Sequence, residues 1–114
     1  MELNFACKKI TIEQLLKCTF SLSNTEVKVL KVMDCSKEVS IKDIQKKLNK
    51  DRSTVQRAVK SLADKELIIR KQYNLETGGY VFTYRCIRKA FLKEKMKATL
   101  DQFHESVEKA IDKF

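Results

Sequence analysis

Residues 50–70 read KDRSTVQRAVKSLADKELIIR. Val55, Ala58, Val59, Leu62 and Ala63 recur at helical spacing, and at about 100° per residue they gather on one side of a helix spanning roughly 52 to 65. Ser53, Gln56, Arg57, Lys60, Ser61 and Asp64 gather opposite, with Arg52 and Thr54 at the boundary. Asp51 stands where an N-cap belongs. The apolar side reads as core. The polar side holds cations, hydroxyls and an amide that a core has no use for, so its purpose has to come from the surrounding chain.

Upstream, three Ser/Thr-led patterns announce helices. Thr11-Ile-Glu-Gln14 predicts a helix to about Phe20 with Ile12, Leu15 and Leu16 on its apolar side. Ser23-Asn-Thr-Glu26 is a capping box, in which hydroxyl and carboxylate each satisfy a free amide of the first turn. It predicts a helix from 24 to about 35, with Val27, Leu30 and Val32 or Met33 inward. Ser40-Ile-Lys-Asp43 repeats the device for a short helix to Leu48, with Ile41, Ile44 and Leu48 at i, i+3 and i+7. Downstream the period changes from 3.6 to 2. Residues 67–73 (LIIRKQY) and 80–87 (YVFTYRCI) are rich in β-branched and aromatic residues, and they bracket NLETGG, which holds both glycines of the chain. That predicts a β-hairpin. From Arg88 onward the pattern is helical again for about 26 residues, or about 39 Å.

The chain has 114 residues, 43% of them hydrophobic and 34% charged, with no Pro. This is enough for one domain with a core plus an extension. No apolar run approaches the roughly 20 residues of a membrane span, and MELNFACKKITIEQ lacks the apolar stretch of a signal peptide, so a cytoplasmic, membrane-free protein is expected. The formal charge is +9, and it is unevenly distributed: residues 37–72 hold eleven Lys or Arg against five acids, whereas 96–114 hold three against four. A localised cationic surface attracts polyanions, with nucleic acid first and an anionic membrane second. Cys7, Cys18, Cys35 and Cys86 form no C-x-x-C pair, and the single His104 is remote from them, so neither a zinc site nor any cofactor is expected. A redox-sensing pair such as Cys7 with Cys18 is the sharper alternative to four buried thiols.

Helix, helix, short turn, helix and hairpin form a winged helix-turn-helix, mainly α with a small β-hairpin (α+β). In such modules the second helix of the turn lies in the DNA major groove. Arg57 has the fork to meet guanine O6 and N7, Gln56 the amide for adenine N6 and N7, and Ser53 or Thr54 a hydroxyl for base or phosphate. Lys42, Lys46, Lys47 and Lys50 lie in or just after the preceding helix, where the fold crosses the DNA backbone. The run KDRSTVQRAVKSLADKELI resembles the recognition segment of MarR-type and TrmB-type winged-helix transcriptional regulators, and SLSNTEVKVLKVM is similar to the first helix of the TrmB-type domain. The resemblance covers roughly residues 20 to 87. It implies a dimeric DNA-binding regulator with Arg52, Ser53, Thr54, Gln56, Arg57 and Lys60 facing the duplex. It also leaves room for a small-molecule effector between winged domains and dimer helices, where Tyr73, Tyr84 and the cysteines are candidate lining.

Two positions depart from that pattern. Glu66 stands where relatives usually have Gly, and a positive φ there would cost about 1 kcal/mol or require a different turn. The wing tip carries Glu76 rather than the basic charge that MarR-type wings bring to the minor groove, leaving Arg70, Lys71 and Arg85 on the strands as candidate phosphate contacts. Met96, Leu100, Phe103, Val107, Ala110 and Phe114, with Ile111 beside them, form a heptad stripe on the last helix. An exposed stripe with no core of its own is expected to pair with a second copy, folding back on its own winged domain being the alternative. The division is therefore a DNA-binding domain over 1–87 and a dimerisation helix over 88–114, giving a homodimer on a pseudo-palindromic double-stranded operator. Without a phosphate loop, paired carboxylates or a nucleophile matched to a base, an enzyme is not expected. The alternative is a winged-helix protein-interaction module of the transcription machinery without specific DNA readout.

Overall fold

The computed structural model describes residues 3–5, 8–33 and 36–114. Two three-residue strands, β1 (Leu3–Phe5) and β2 (Lys8–Ile10), pair antiparallel, with Leu3 opposite Ile10. Four helices follow: α1 (Ile12–Phe20), α2 (Asn24–Val32), α3 (Ile41–Leu48) and α4 (Arg52–Asp64). The hairpin of β3 (Ile68–Asn74) and β4 (Tyr80–Cys86) leads into the last helix, α5 (Lys89–Asp112). The short β1–β2 ladder was not expected.

Local chemistry sets most boundaries. Capping boxes close at Thr11 with Gln14, Ser23 with Glu26 and Ser40 with Asp43, each with both reciprocal bonds, so the first-turn amides are satisfied before tertiary packing begins. Asp51 occupies the N-cap of α4 but does not cap it in the expected way; its carboxylate accepts from Ser53 Oγ at 2.6 Å instead. At the other end of α4, Glu66 keeps a left-handed φ of 62° despite its Cβ. Two bonds hold it there, Leu67 N to Leu62 O and Glu66 N to Ala63 O, both 3.0 Å. This is a Schellman turn, and its apolar clasp is Leu62 against Leu67, each fully buried. The stability of the clasp outweighs the strain at Glu66.

The core joins Leu16, Val27, Val29, Leu30, Ile44, Val55, Val59, Leu62, Leu67 and Ile68. Met33 is buried with them, whereas Ile12, expected on the apolar side of α1, is 53% exposed at the mouth of its helix. In the wing, Ile68 pairs with Cys86 and Asn74 with Tyr80, and a five-residue tip turns through Gly78 and Gly79 at φ of 96° and 81°, which only glycine adopts without strain. Val39 forms a single antiparallel bridge to Tyr84 through two 2.8 Å bonds, tying the segment before α3 to the outer edge of β4. α5 then leaves the domain. The molecule measures 65 × 24 × 23 Å, and every residue from Leu100 to Phe114 is exposed.

Candidate nucleic-acid interface

α4 separates its two sides cleanly. Val55, Ala58, Val59 and Leu62 are buried, while Arg52, Ser53, Gln56, Arg57 and Lys60 are exposed and Thr54 is half-buried. The outward row is built on a helix anchored at both ends of its inner face, so its side chains spring from a fixed backbone. Lys65, one turn beyond, is withdrawn from solvent duty: its Nζ reaches Ser21 O at 2.9 Å and Glu26 Oε2 at 3.1 Å. Ser61 Oγ donates to the same carboxylate oxygen at 3.0 Å. Burial pushes the Glu26 carboxyl up, but the bonds from Lys65, Ser61 and Ser23 outweigh it and hold the group below its ordinary value. Glu26 therefore stitches the start of α2 to the second half of α4. Among the described residues, no carboxylate pairs in this way with Arg52, Arg57 or Lys60.

Two hollows flank the outward row. Toward α2, a cleft of about 240 Å³ is lined by Ser23, Thr25, Glu26, Thr54, Arg57 and Ala58. Toward the wing, a groove of about 700 Å³ is lined by Ile41, Gln56, Val59, Lys60, Ala63, Asp64, Ile68, Arg70, Phe82 and Tyr84. Arg70 is fixed in that groove because its guanidinium lies 4.5 Å from the centre of the Phe82 ring, which Tyr80 meets edge-on at 5.2 Å.

The pleat divides the three wing cations that the sequence grouped together. Arg70 shares a face with Phe82 and Tyr84, turned toward α4; Lys71 and Arg85 lie on the opposite face with Ile69, Tyr73 and Thr83. There Glu38 gathers them. Its carboxylate accepts from the Tyr73 hydroxyl at 2.7 and 2.9 Å and from Thr83 at 3.1 Å, with Lys71 Nζ at 3.7 Å. The Tyr73 hydroxyl, joined by Thr83 and the charges of Lys71 and Arg85, holds the Glu38 carboxyl below its ordinary value, and the same bond raises the Tyr73 phenol. Sequence reasoning missed Glu38, and no local pattern marks it. On α3, Lys42, Lys46 and Lys47 are exposed, as is Lys50 after it.

The last helix presents the expected stripe in part. Met96, expected within it, instead packs with Leu92 against the winged domain's own core. Leu100, Phe103, Val107, Ile111 and Phe114 are exposed at 40, 65, 37, 65 and 111%, with Ala110 also exposed, and Phe91 at 53% adds to the apolar surface nearer the domain. His104 pairs with Glu108 at 3.7 Å on the exposed helix. Of the candidate effector lining, Tyr84 and Cys86 are core, Tyr73 is held by Glu38 and Cys18 is exposed; Cys7 and Cys35, and with Cys7 the redox pair, lie outside the described residues. Among the described residues, no group of three or more His, Cys, Asp or Glu is placed to hold a metal ion, and no helix is long and apolar enough to cross a membrane.

Known proteins share this arrangement. The model of the family described as "sugar-specific transcriptional regulator TrmB" matches residues 16–90. An uncharacterised protein of Methanocaldococcus jannaschii is 34% identical over 106 residues, 93% of this chain and 80% of that protein. A second protein of the same organism, also uncharacterised, is 31% identical over 107 residues, 94% of this chain and 88% of its own length. A solved structure of a possible transcriptional regulator from Methanosarcina mazei superposes with a TM-score of 0.89 at 28% identity, covering 100% of this chain and 97% of that one. The match spans the capped α2, the α3–α4 turn, the wing and the start of α5, so the chain belongs to the TrmB family of winged-helix, DNA-binding transcriptional regulators.

Proposed function

We propose that the chain acts as a homodimer that binds a specific, pseudo-palindromic double-stranded operator, with α4 in the major groove. The observation that supports this most is the composition of α4's outward row: Arg52, Ser53, Gln56, Arg57 and Lys60 are all exposed, and none is needed for the core beneath them. A guanidinium and an amide on the first two turns match guanine and adenine edges in the major groove. Arg70 and the α3 lysines, chiefly Lys42, supply flanking charge for phosphates. Lys71 and Arg85, drawn to Glu38 on the far side of the wing, contribute less than the sequence suggested. The exposed stripe from Leu100 to Phe114 supports pairing of two copies, since burying such side chains against a second helix stabilises each by about 1.5–3 kcal/mol.

Selection of bound sequences from a random duplex pool, with a salt titration, tests this reading. A palindrome whose half-sites recur about one DNA turn apart is expected, together with steep loss of affinity as salt rises, near 0.9 in log-log slope per phosphate neutralised. Arg57→Ala should cost about 1–3 kcal/mol on the selected site and relax one base position. Weak binding, a shallow slope and no preferred sequence would overturn it. One observation favours a second reading, a protein-interaction module: the wing exposes Ile69, Leu75, Tyr80 and Val81 at 41, 46, 59 and 43%. Under that reading, polar substitution of Tyr80 and Leu75 would abolish partner binding while duplex affinity stayed negligible throughout.

A further inference from the structure

The pleat gives the wing one face toward α4, built from the pairs Ile68 with Cys86, Arg70 with Tyr84, Gln72 with Phe82 and Asn74 with Tyr80. Arg70 carries the only charge among them. Its guanidinium carbon lies 4.5 Å from the centre of the Phe82 ring, and Tyr80 meets that ring edge-on at 5.2 Å. The amides of Gln72 and Asn74 engage each other, Nε2 donating to Oδ1 at 3.4 Å. On the opposite face Lys71 is drawn to Glu38, but among the described residues no carboxylate pairs with Arg70. An aromatic ring attracts a cation through its π electrons and offers no lone pair, so the guanidinium keeps its N–H donors for the oxygens of an anion.

In the groove of about 700 Å³ between helix and wing, α4 contributes Lys60 to one wall and the wing contributes Arg70 and Phe82 to the other, with Val59 and Ile68 among the apolar lining. Asp64, one turn beyond Lys60, lines the same groove and pairs with neither cation. Two cations against one acid favour an anion, and a groove that is also apolar suits a sugar–phosphate strand, whose charge is on the phosphate and whose sugar is not charged. An arginine on an exposed strand has many rotamers, and ordering it at binding costs affinity; a ring that holds it beforehand removes much of that cost. We propose that Phe82 is a positioning residue of the DNA interface. Braced by Tyr80, it holds Arg70 toward α4, so that Arg70 and Lys60 grip the backbone of one strand between recognition helix and wing. The proposal deepens the reading of α4 as the duplex-binding helix and rests on it. It gives the wing a contact through its strand, without use of the tip that carries Glu76.

The test is a double-mutant cycle on the full-length chain, read by anisotropy titration of the selected operator over a range of salt. Arg70→Ala should weaken binding about tenfold on every sequence and lower the log-log salt slope by about 0.9, as one phosphate contact is lost. Phe82→Leu, which leaves the charge in place, should weaken binding about two- to fivefold, the worth of a cation–π contact at an exposed site, with the slope nearly unchanged. Phe82→Tyr keeps a ring and should restore wild-type affinity. In the Arg70→Ala background, Phe82→Leu should cost nothing further, an outcome that a purely structural role for the ring would not give. Phe82 also packs against the core, so denaturant unfolding accompanies each variant. If Phe82→Leu does not fold, Tyr80→Ala takes its place: Tyr80 is 59% exposed, and its loss should weaken binding only while Arg70 is present. Three results overturn the proposal: an unchanged salt slope in Arg70→Ala, wild-type affinity in the folded ring variant, or a ring effect that persists undiminished without Arg70. Failure of the wild type to bind any duplex would instead remove the DNA reading on which the proposal stands.

Discussion

Helix α4 hides Val55, Val59 and Leu62 at 0–2% exposure and shows solvent a polar row, whereas α5 leaves Phe103 and Ile111 at 65%, with nothing among the described residues covering them. Both helices are amphipathic. For α4 the apolar side is satisfied by α2, α3 and the start of the wing, so its exposed side costs nothing and is available to a polyanion. For α5 the apolar side beyond Met96 is the unsatisfied one, and water contact there disfavours the lone chain. On the proposed function one helix meets nucleic acid and the other a second copy, and the polarity of the exposed surface separates the two roles.

The contrast can be attacked first on α5. Leu100→Asp with Phe103→Asp should raise the dimer dissociation constant by about a thousandfold or more, since two charges would replace buried side chains worth about 1.5–3 kcal/mol each. Sedimentation should then show monomers with unchanged thermal unfolding of the winged domain. A persistent dimer would mean that the stripe is not the interface. On α4's inner side, Leu62→Ala should destabilise the fold by about 2–5 kcal/mol, read by denaturant unfolding, because it opens a cavity and also removes the Leu67 clasp. A loss below about 1 kcal/mol would show that the clasp does not anchor the recognition helix.

Glu26 joins the start of α2 to the second half of α4. Its carboxyl is depressed in the folded state, so its contribution is full above the unfolded value of about 4.3 and disappears as pH falls through the lower folded value. Unfolding measured from pH 6 to pH 3 should therefore be less acid-sensitive in Glu26→Gln, with wild type and variant converging at the acid end. Smallest, and opposite in sign, is Glu66→Gly: relief of the left-handed φ should stabilise by about 0.5–1 kcal/mol, a rise of a few degrees in Tm. The exposed Lys95–Glu66 pair at 3.8 Å, lost in that variant, contributes little against this.

Much of this was legible in the chain because it is local. The capping boxes are i to i+3 patterns, and the two sides of α4 follow from a 3.6 period sustained over thirteen residues. Other features depend on distance. Glu38 meets Thr83 across 45 positions, and the β1–β2 strands are three residues each, too short for any period to register. Met96 and Leu100 sit on the same stripe, and nothing in their spacing says that the first packs against the core while the second stands exposed. The division of Arg70 from Lys71 was readable, since neighbours in a strand face opposite ways. Asp51 was the right residue for a cap, yet the Ser53 hydroxyl two positions on took the carboxylate first.

The claim that α4's outward row receives the duplex is tested most directly by reversing its charge. Arg57→Glu with Lys60→Glu touches only exposed side chains, so unfolding and sedimentation should match wild type. Anisotropy titration on the selected operator should show affinity reduced by a hundredfold or more, as expected when two cation contacts become repulsive, each phosphate contact also removing about 0.9 from the salt slope. Wild-type affinity and an unchanged slope in this double variant would contradict the account, because the duplex would then have to bind somewhere other than α4.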